Sequence, residues 1–342
     1  MPTPILPIRR LVLAPLIVAF ELGLVLASPL ILLASVVVSP LFGGWRPVRL
    51  AVIVLAVALH HLAACAACAR LWLGGVSGRH AAGGPPRHAH YGVLRSLVNG
   101  IYRAVERAAR VEVVLAAGST EAEQVLSSPR PVVVLSRHSG EGDTLLVLHH
   151  LTCRHDRLPR VVMHERLRLD PVIDVLGRRL PNRFVDPRGG DTEGEIAALA
   201  RDMDERAALL IFPEGGNSTA SRRRRGVERL EQAGHRQEAD WARGMRYLSA
   251  PRPGGALAAI EAAPPGSLVV FVGHVGFPCS LSDVWRLLAD PQTVEVKQWA
   301  VPAEEVPADQ EAAIDWLFGW WQTIDAWVSE RHEARAAGDG AS

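Results

Sequence analysis

Two long apolar runs at the start of the chain limit what it can fold into more than any other feature. Between positions 11 and 69 the only acidic residue is Glu21, and the only basic residues apart from two histidines are Arg46 and Arg49. Each run exceeds the roughly 20 residues that a helix needs to cross the hydrocarbon layer of a bilayer. A short glycine-containing turn separates the runs, so residues 1–75 are predicted to form a membrane-associated helical hairpin.

The position of this hairpin relative to a bilayer stays open. Arginines lie at both ends of the runs, so the preference of basic residues for the cytoplasmic side gives only a weak orientation. The hairpin either spans the membrane or only enters it, and a buried helix pair in a soluble protein is the third interpretation. The first run, which follows Arg9 and Arg10 and extends to Phe42, is too long for a cleavable signal peptide.

The charge balance bears on the partners of the protein, and the cysteines bear on its disulfides and its compartment. The chain has 37 lysines and arginines against 36 aspartates and glutamates, a net charge of +1, so no nucleic-acid partner is expected. Four cysteines do not make a disulfide framework in a chain of this length. Cys65 and Cys68 have the spacing of a metal or redox pair, but without a second pair nearby they are expected to be small core or lipid-facing side chains. A reducing compartment follows, with the protein at the cell membrane and its C-terminal part on the cytoplasmic face.

Beyond the apolar runs, the sequence predicts an α/β domain. Residues 76–91 are rich in Gly, Pro and His without periodicity, which is typical of a linker. Short β-branched runs then alternate with longer helical stretches, which indicates a sheet covered by helices on both faces over residues 92–305. The predicted strands are Val111–Leu115, Val132–Leu135, Val161–Met163, Ala208–Phe212, Leu268–Val272 and Val294–Trp299. The predicted helices are about 142–153, 191–206, 223–248 and 254–263.

A last predicted helix, about 308–334 within the C-terminal segment 306–342, is rich in tryptophan. It contains four of the nine tryptophans in the chain. Its apolar positions recur at helical spacing, at Ile314, Leu317, Trp321, Ile324 and Val328. Core packing is the favoured interpretation of this stripe. An interfacial anchor is the alternative, since tryptophan favours the headgroup layer of a membrane.

The most specific chemical signal is a polar loop that follows the apolar strand ending at Leu135. His138 stands where the strand ends, at the edge where open α/β sheets bind ligands. Asp143 lies in the first turn of the next predicted helix and can hold one ring nitrogen, which leaves the other free as a base. The chain has no Gly-x-Ser-x-Gly elbow. Any attacking hydroxyl is therefore expected to belong to the substrate.

A second polar loop follows another apolar strand. The strand at 208–212 runs directly into Pro213, Glu214, Gly215, Gly216, Asn217 and Ser218. A glutamate at the end of a buried strand, in a loop of glycines, is poorly explained as a solvated charge. The glycines allow backbone N–H groups to approach an oxyanion or a phosphate.

Together the two loops resemble the glycerophospholipid acyltransferase family, which includes the lysophosphatidate acyltransferases. The first family block, His-x-x-x-x-Asp, is matched by His138 and Asp143. The third block, Phe-Pro-Glu-Gly-x-x-Ser, is matched by Phe212, Pro213, Glu214, Gly215 and Ser218. The resemblance covers about residues 90–280 and includes the membrane hairpin. It implies an α/β fold of the glycerol-3-phosphate acyltransferase type, a mixed sheet flanked by helices.

Two departures from the family pattern concern the acceptor site. The second block, Gly-x-x-Phe-x-x-Arg, corresponds here to residues 181–188, with proline in place of glycine and the arginine, Arg188, one position late; Arg183 is a rival. In the third block, Asn217 stands where the family has an arginine that helps to hold the acceptor phosphate, so a different acceptor site is expected. The run Arg222–Arg225 either replaces this charge or is a solvated helix start that faces anionic lipid.

The resemblance implies transfer of an acyl chain from acyl-CoA or acyl carrier protein to a hydroxyl of a lysophospholipid or related glycerolipid. His138 would take the hydroxyl proton and Asp143 would hold the ring. Glu214 and an arginine would orient the acceptor headgroup, with Gly215, Asn217 and Ser218 as further substrate-binding residues. Backbone donors near Gly140 and Gly142 are the expected oxyanion site.

No cofactor and no metal are expected beyond the acyl donor itself. His164 is followed by Arg168 instead of the second histidine of a zinc helix, and His149 and His150 are expected to be polar helix surface. Two alternatives stay open. The first is a catalytically silent lipid-binding protein with the same fold, against which the intact histidine–aspartate pair argues. The second is a thioesterase or lipase-type hydrolase, against which the lack of an enzyme nucleophile argues.

Overall fold

The structure is a computed structural model that describes residues 6–76, 87–140, 142–185, 189–278 and 281–339. Its apolar N-terminal part consists of α1 (Leu6–Ile8), a π-helical turn (Arg9–Leu13), α2 (Ala14–Leu26), α3 (Ser28–Phe42) and α4 (Arg46–Val76). The helical segments before and after Ala27 are bent by 59°. Pro29 at the start of α3 has no N–H to continue the helical hydrogen bonds, which explains the bend. The first apolar run is therefore a broken helix, not one straight arm of a hairpin.

The rest of the chain alternates between helices and strands, as the sequence predicts. The helices are α5 (Arg87–Ala109), α6 (Thr120–Ser127), α7 (Asp143–His149), α8 (Pro171–Arg179), α9 (Thr192–Arg201), α10 (Ala220–Gln232), α11 (Arg236–Gly244), α12 (Pro253–Ala262), α13 (Leu281–Leu287) and α14 (Gln310–Asp339). The strands are β1 (Val111–Leu115), β2 (Val132–Ser136), β3 (Leu158–His164), β4 (Arg183–Val185), β5 (Ala207–Ile211), β6 (Leu268–Val275) and β7 (Gln292–Pro302). Each of the six predicted strands overlaps one of these, and β4 is additional.

The seven strands form one mixed sheet with the order β1-β7-β6-β2-β5-β3-β4. β2 lies in the middle and pairs in parallel with β5 and β6, whereas β7 is antiparallel to β6. The predicted mixed sheet flanked by helices is thereby confirmed. Because β2, β3, β5 and β6 all run in the same direction, the loops that follow them emerge at one edge of the sheet, called the carboxyl edge below.

Both faces of the sheet are buried, which explains why its central strands are uninterrupted apolar runs. Val133 and Leu135 of β2 pack in a cluster with residues of α9, α12 and α14, whereas Val132 and Val134 pack on the other face with residues of α6 and α7. Trp321 of α14 is fully buried in the first cluster. The core interpretation of the tryptophan-rich helix is therefore confirmed.

One face of α4 packs against the α/β domain. Ala64 and Cys68 of α4 lie in a buried cluster with Val93 of α5 and with Val172 and Leu176 of α8. Cys68 is thus a small core side chain, as expected. Because this face is used for packing, only the outer face of α4 is free to meet lipid.

Exposed apolar side chains are concentrated in the N-terminal helices. In the described part of the chain, the large apolar side chains that are exposed all lie between Ile8 and Leu73, except Leu167 and Leu169. Soluble proteins rarely leave so much apolar surface in contact with water. By length and composition, the helix at Arg46–Gly75 is sufficient to cross a membrane.

Two local boundaries differ from the sequence-based prediction. The predicted linker ends earlier, because residues 87–91 already belong to α5, an amphipathic helix that buries Val93 and Val98. Residues 77–86 lie outside the described residues. The helix predicted at about 223–248 is two helices, α10 and α11, because Gly234 takes a positive φ of 85° between them.

We predict that the full-length protein stays in the membrane fraction after an alkaline carbonate wash and becomes monodisperse only in detergent. The physical reason is the exposed apolar surface of α2, α3 and the outer face of α4. Fractionation followed by gel filtration measures this. A monodisperse species in buffer without detergent would show instead that these helices are covered by protein.

Candidate active site

The two loops singled out by the sequence lie side by side, because β2 and β5 are neighbours in the sheet. The loop after β2 carries His138 and leads into α7, whose first residue is Asp143. The loop after β5 carries Glu214 and Ser218. Both loops lie at the carboxyl edge, where open α/β sheets bind their ligands.

Asp143 holds the ring of His138. Asp143 Oδ2 lies 3.2 Å from His138 Nδ1 and also accepts hydrogen bonds from the N–H groups of Ser139 and, at 2.9 Å, Gly140. The Asp143 side chain is fully buried, whereas that of His138 is 18% exposed. No hydrogen bond from the described residues reaches His138 Nε2. This nitrogen is therefore free to act as a base.

His274 of β6 faces Asp143 from another side. Its Nε2 lies 3.6 Å from Asp143 Oδ1, and its ring is fully buried. Burial lowers the pKa of His274 to about 4, against the attraction of Asp143, so the ring is neutral near pH 7. Burial would raise the pKa of the Asp143 carboxyl, but His274, His138 and the Gly140 N–H together keep it below its usual value. From the sequence, residues 272–275, which include His274, are only a candidate for the fourth block of the family, and no role for the histidine is predicted.

The loop after β5 fixes the main chain of His138. Glu214 Oε1 accepts a 2.8 Å hydrogen bond from the His138 N–H, and the Ser218 N–H donates a 2.7 Å bond to the His138 carbonyl. Glu214 Oε2 accepts a 2.8 Å bond from the N–H of Ser249. Each carboxylate oxygen of Glu214 thus binds a backbone amide in the protein interior. Glu214 and Ser218 thus hold the main chain of His138, and their expected contact with the acceptor stays a prediction.

A buried aspartate of α14 supports this arrangement from the far side. Asp325 accepts hydrogen bonds of 2.7–2.9 Å from the N–H groups of residues 246–248. The next residue, Ser249, is the one that binds Glu214. Asp325 of α14 therefore fixes residues 246–248, and the adjacent Ser249 binds Glu214 in the loop after β5. No local sequence pattern indicates this dependence.

Two arginines lie against the glycines of the loop after β5. A Cβ added to Gly216 would come within 1.7 Å of Arg222 Nη1, and one added to Gly215 would lie 3.1 Å from Arg252 Nε. Glycine at position 216 is therefore what allows the guanidinium of Arg222 to approach the loop. Asn217 lies next to Gly216 in the same loop.

The four arginines at 222–225 are not equivalent. Arg224 pairs with Glu228 at 3.7 Å along the exposed side of α10, and Arg225 donates to the main chain at the start of its own helix. Arg222 is thus the member that lies against the loop after β5, Arg223 is half-buried, and Arg224 and Arg225 are exposed.

The structure does not bring Arg183 to this site. Arg183 lies on the edge strand β4, three strands away from β2, which corresponds to about 14 Å at the usual spacing between strands. Arg188 lies outside the described residues. Arg252, just before α12, lies closer than Arg183. No sequence pattern indicates Arg252, because it is remote from both motifs along the chain.

One of the two backbone N–H groups expected to bind the oxyanion already donates a hydrogen bond within the protein. The Gly140 N–H binds Asp143, whereas the Gly142 N–H makes no hydrogen bond to the described residues. A Cβ on Gly142 would lie 2.7 Å from the ring of Phe277, so a side chain does not fit there. Gly142 therefore remains the candidate backbone donor.

The comparisons with known proteins place a family over this part of the chain. A family model described as Acyltransferase matches residues 119–272, a range that includes both loops and most of β6. The comparison with curated proteins finds no match.

Glu214 is predicted to lower the free energy of unfolding as the pH rises toward 7. Burial raises the pKa of its carboxyl to about 7, although the N–H groups of His138 and Ser249 oppose the shift. The folded state then keeps a proton that the unfolded chain loses near pH 4.5. The free energy of unfolding therefore falls as the pH rises from about 4.5 to about 7, by on the order of 3 kcal/mol.

Thermal unfolding of the wild type and of Glu214→Gln in detergent measures this effect. Other titrating groups are shared by the two proteins, so their contributions largely cancel in the difference. The wild type is expected to exceed the variant in stability by more at about pH 5 than at about pH 8. A difference that is the same at both pH values would contradict the raised pKa.

Proposed function

Because residues 119–272 belong to the acyltransferase family, we propose that this protein transfers an acyl chain from acyl-CoA or acyl carrier protein to a hydroxyl of a lysophospholipid or related glycerolipid. The observation that carries the proposal is the His138 ring, held through Nδ1 by the fully buried Asp143 at 3.2 Å. The other ring nitrogen is thereby oriented as a base at the carboxyl edge.

The proposed reaction is a direct attack by the acceptor. His138 Nε2 takes the proton of the acceptor hydroxyl while the hydroxyl oxygen attacks the thioester carbonyl carbon. Asp143 stays ionised and stabilises the imidazolium. The Gly142 N–H, which makes no hydrogen bond within the described residues, would bind the oxyanion. The C–S bond then breaks, and the thiol of the donor leaves with the proton from His138.

The acceptor is proposed to come from a membrane, because the apolar helices adjoin the edge of the sheet at which His138 stands. Phe42 at the end of α3 packs edge-on against Trp285 of α13, with ring centroids 5.6 Å apart. Arg49 of α4 donates a hydrogen bond to the carbonyl of Leu288. Both contacts involve the segment that follows β6 at the carboxyl edge, and two exposed leucines follow β3 at the same edge.

We propose a location at the cell membrane, with the catalytic domain on the cytoplasmic face; the contacts of the apolar helices with the carboxyl edge support the membrane location. A lipid acceptor would approach from the bilayer side of the apolar helices. The acyl donors are soluble thioesters, so they would approach from the aqueous side. The two substrates then meet at His138 without the acceptor leaving the lipid layer.

Arg222 and Arg252 are proposed to bind the headgroup of the acceptor. Both guanidinium groups lie against the loop after β5. The same loop fixes the main chain of His138 through Glu214 and Ser218. They supply the charge that is missing at Asn217, where the family has an arginine. A charge-assisted contact with a phosphate contributes roughly 1.5–3 kcal/mol, about ten- to a hundredfold in affinity. An acceptor with an anionic phosphate headgroup therefore fits this site.

His138→Ala is predicted to reduce acyl transfer by ~100-fold or more, because the general base is lost. Asp143→Asn is also expected to reduce turnover, because an amide favours the wrong tautomer of the ring. The assay supplies purified protein in detergent with acyl-CoA or acyl carrier protein and a panel of lysolipids. Lipid mass spectrometry then measures the acylated products.

Turnover close to the wild-type level in a folded His138→Ala protein would contradict this mechanism. If the wild type released free fatty acid and formed no acylated lipid, it would be a hydrolase. If the wild type bound lipid and showed no turnover with any donor, it would be a catalytically silent member of the family.

Arg222→Gln is predicted to raise the KM for lysophosphatidate by roughly ten- to a hundredfold while leaving the KM for the acyl donor unchanged. Arg225→Gln is the matched control, since Arg225 bonds to its own helix start and is expected to leave both constants unchanged. Steady-state kinetics with each substrate varied in turn separates the two constants. Equal effects of the two substitutions would show that the arginine run acts only as a general charge.

A further inference from the structure

Three potential metal ligands meet outside the two loops of the active site. They are Glu123 of α6, His150, which directly follows α7, and His155. Glu123 Oε1 lies 2.7 Å from His150 Nε2 and 3.2 Å from His155 Nε2, and the two ring nitrogens lie 3.2 Å apart. The side chains are 17%, 18% and 4% exposed, respectively. One carboxylate oxygen and two imidazole nitrogens therefore converge in a largely buried position.

An unusual stretch of backbone creates this convergence. Residues His150–Arg154 form a π-helical turn, and the His155 N–H binds the His150 carbonyl at 3.2 Å. Side chains five residues apart point in clearly different directions on an α-helix, because each residue turns by about 100°. The wider π turn brings His155 to the same side as His150. Such turns are rare and frequently mark functional sites.

The three groups do not satisfy one another as a hydrogen-bond network. His150 Nε2 faces Glu123 Oε1, His155 Nε2 and, at 2.8 Å, the side-chain amide nitrogen of Gln298. A single ring nitrogen carries either one proton or one lone pair, so it cannot serve three such partners. The amide oxygen of Gln298 is buried and has no hydrogen-bond partner within the described residues.

A divalent cation resolves this conflict, and we propose that Glu123, His150 and His155 bind one, with zinc as the best-matched class of ion. Tetrahedral zinc with bonds of about 2.0–2.1 Å separates its ligand atoms by about 3.3 Å. Two of the three distances here are 3.2 Å, and the 2.7 Å distance between Glu123 and His150 would widen on binding. A set of two imidazoles and a carboxylate also favours zinc, whereas magnesium and calcium prefer oxygen ligands. Rotation of the Gln298 amide would turn its unpartnered oxygen toward the ion as a fourth ligand.

Neighbouring side chains already orient the ligands. Ser127 Oγ lies 2.9 Å from Nδ1 of His155, which fixes the ring with Nε2 pointing into the cluster. Arg154 Nε donates a 3.0 Å bond to Glu123 Oε2, the carboxylate oxygen that the ion does not need. Hydrogen bonds of this kind to the outer atoms of ligands are typical of metal sites.

The cation would fasten three separate elements together. Glu123 lies on α6, His150 begins the π turn and His155 follows it, and Gln298 lies on β7. α7, which directly precedes His150, begins at Asp143, about 10 Å away at 1.5 Å per residue. The ion would therefore stabilise the position of α7, and it would have no part in the transfer of the acyl group.

Cobalt binding to the full-length protein in detergent tests this site. The affinity tag is removed and bound metal is stripped with a chelator before titration with Co²⁺. We expect one equivalent per chain, with the visible absorption of tetrahedral cobalt, and displacement by Zn²⁺. Ser127→Ala is expected to weaken binding by roughly ten- to a hundredfold, and His155→Ala or Glu123→Gln by at least as much.

His149→Ala is the matched control. His149 is adjacent in sequence, but its ring stacks on Tyr102 at 3.6 Å outside the cluster, so this variant should still bind one equivalent. Zn²⁺ should raise the unfolding temperature of the wild type and of His149→Ala, but not that of His155→Ala. No stoichiometric uptake of Co²⁺ by the wild type, or equal uptake by the wild type, His155→Ala and Glu123→Gln, would overturn the proposal.

Discussion

The fully buried carboxylate of Asp143 is the constraint on which the rest of the site depends. A carboxylate without access to water is costly unless donors surround it. Here the donors are the ring of His138 and two successive backbone N–H groups of the loop after β2, which forces that loop to fold back over the start of α7. Glu214 and Ser218, in the loop after β5, then fix the main chain of His138. Asp325 of α14 fixes the segment that precedes Ser249, and the Ser249 N–H binds Glu214. The base is thus positioned from both neighbouring loops.

Much of the fold could be predicted from the sequence, because it follows from local patterns. The β-branched runs gave the positions of six strands, and the spacing of apolar residues in the last helix indicated that its tryptophans are core. The pairing of His138 with Asp143 was predictable because both residues lie close together along the chain. The role of Glu214 was not, since it depends on Ser249, which is remote in sequence. Arg252 was not predictable for the same reason, because it is remote in sequence from both loops.

The N-terminal helices show the limit of hydropathy as a guide. Their composition predicted a pair of membrane helices, but Pro29 bends the first run and one face of α4 packs on α5 and α8. Hydropathy reports how apolar a segment is, and it does not report which partner covers it. The histidines after α7 illustrate a related limit. His150 was expected on the surface, and the π turn that directs it toward His155 has no sequence signal of its own.

Chemical rescue of His138→Gly tests the central claim most directly. This variant removes the imidazole and leaves Asp143 with its backbone donors. If His138 is the base that Asp143 orients, added imidazole should restore part of the acyl transfer to the lysolipid, and rescue should increase with the basicity of substituted imidazoles. Acyl transfer by His138→Gly at the wild-type rate, unaffected by imidazole, would contradict the account.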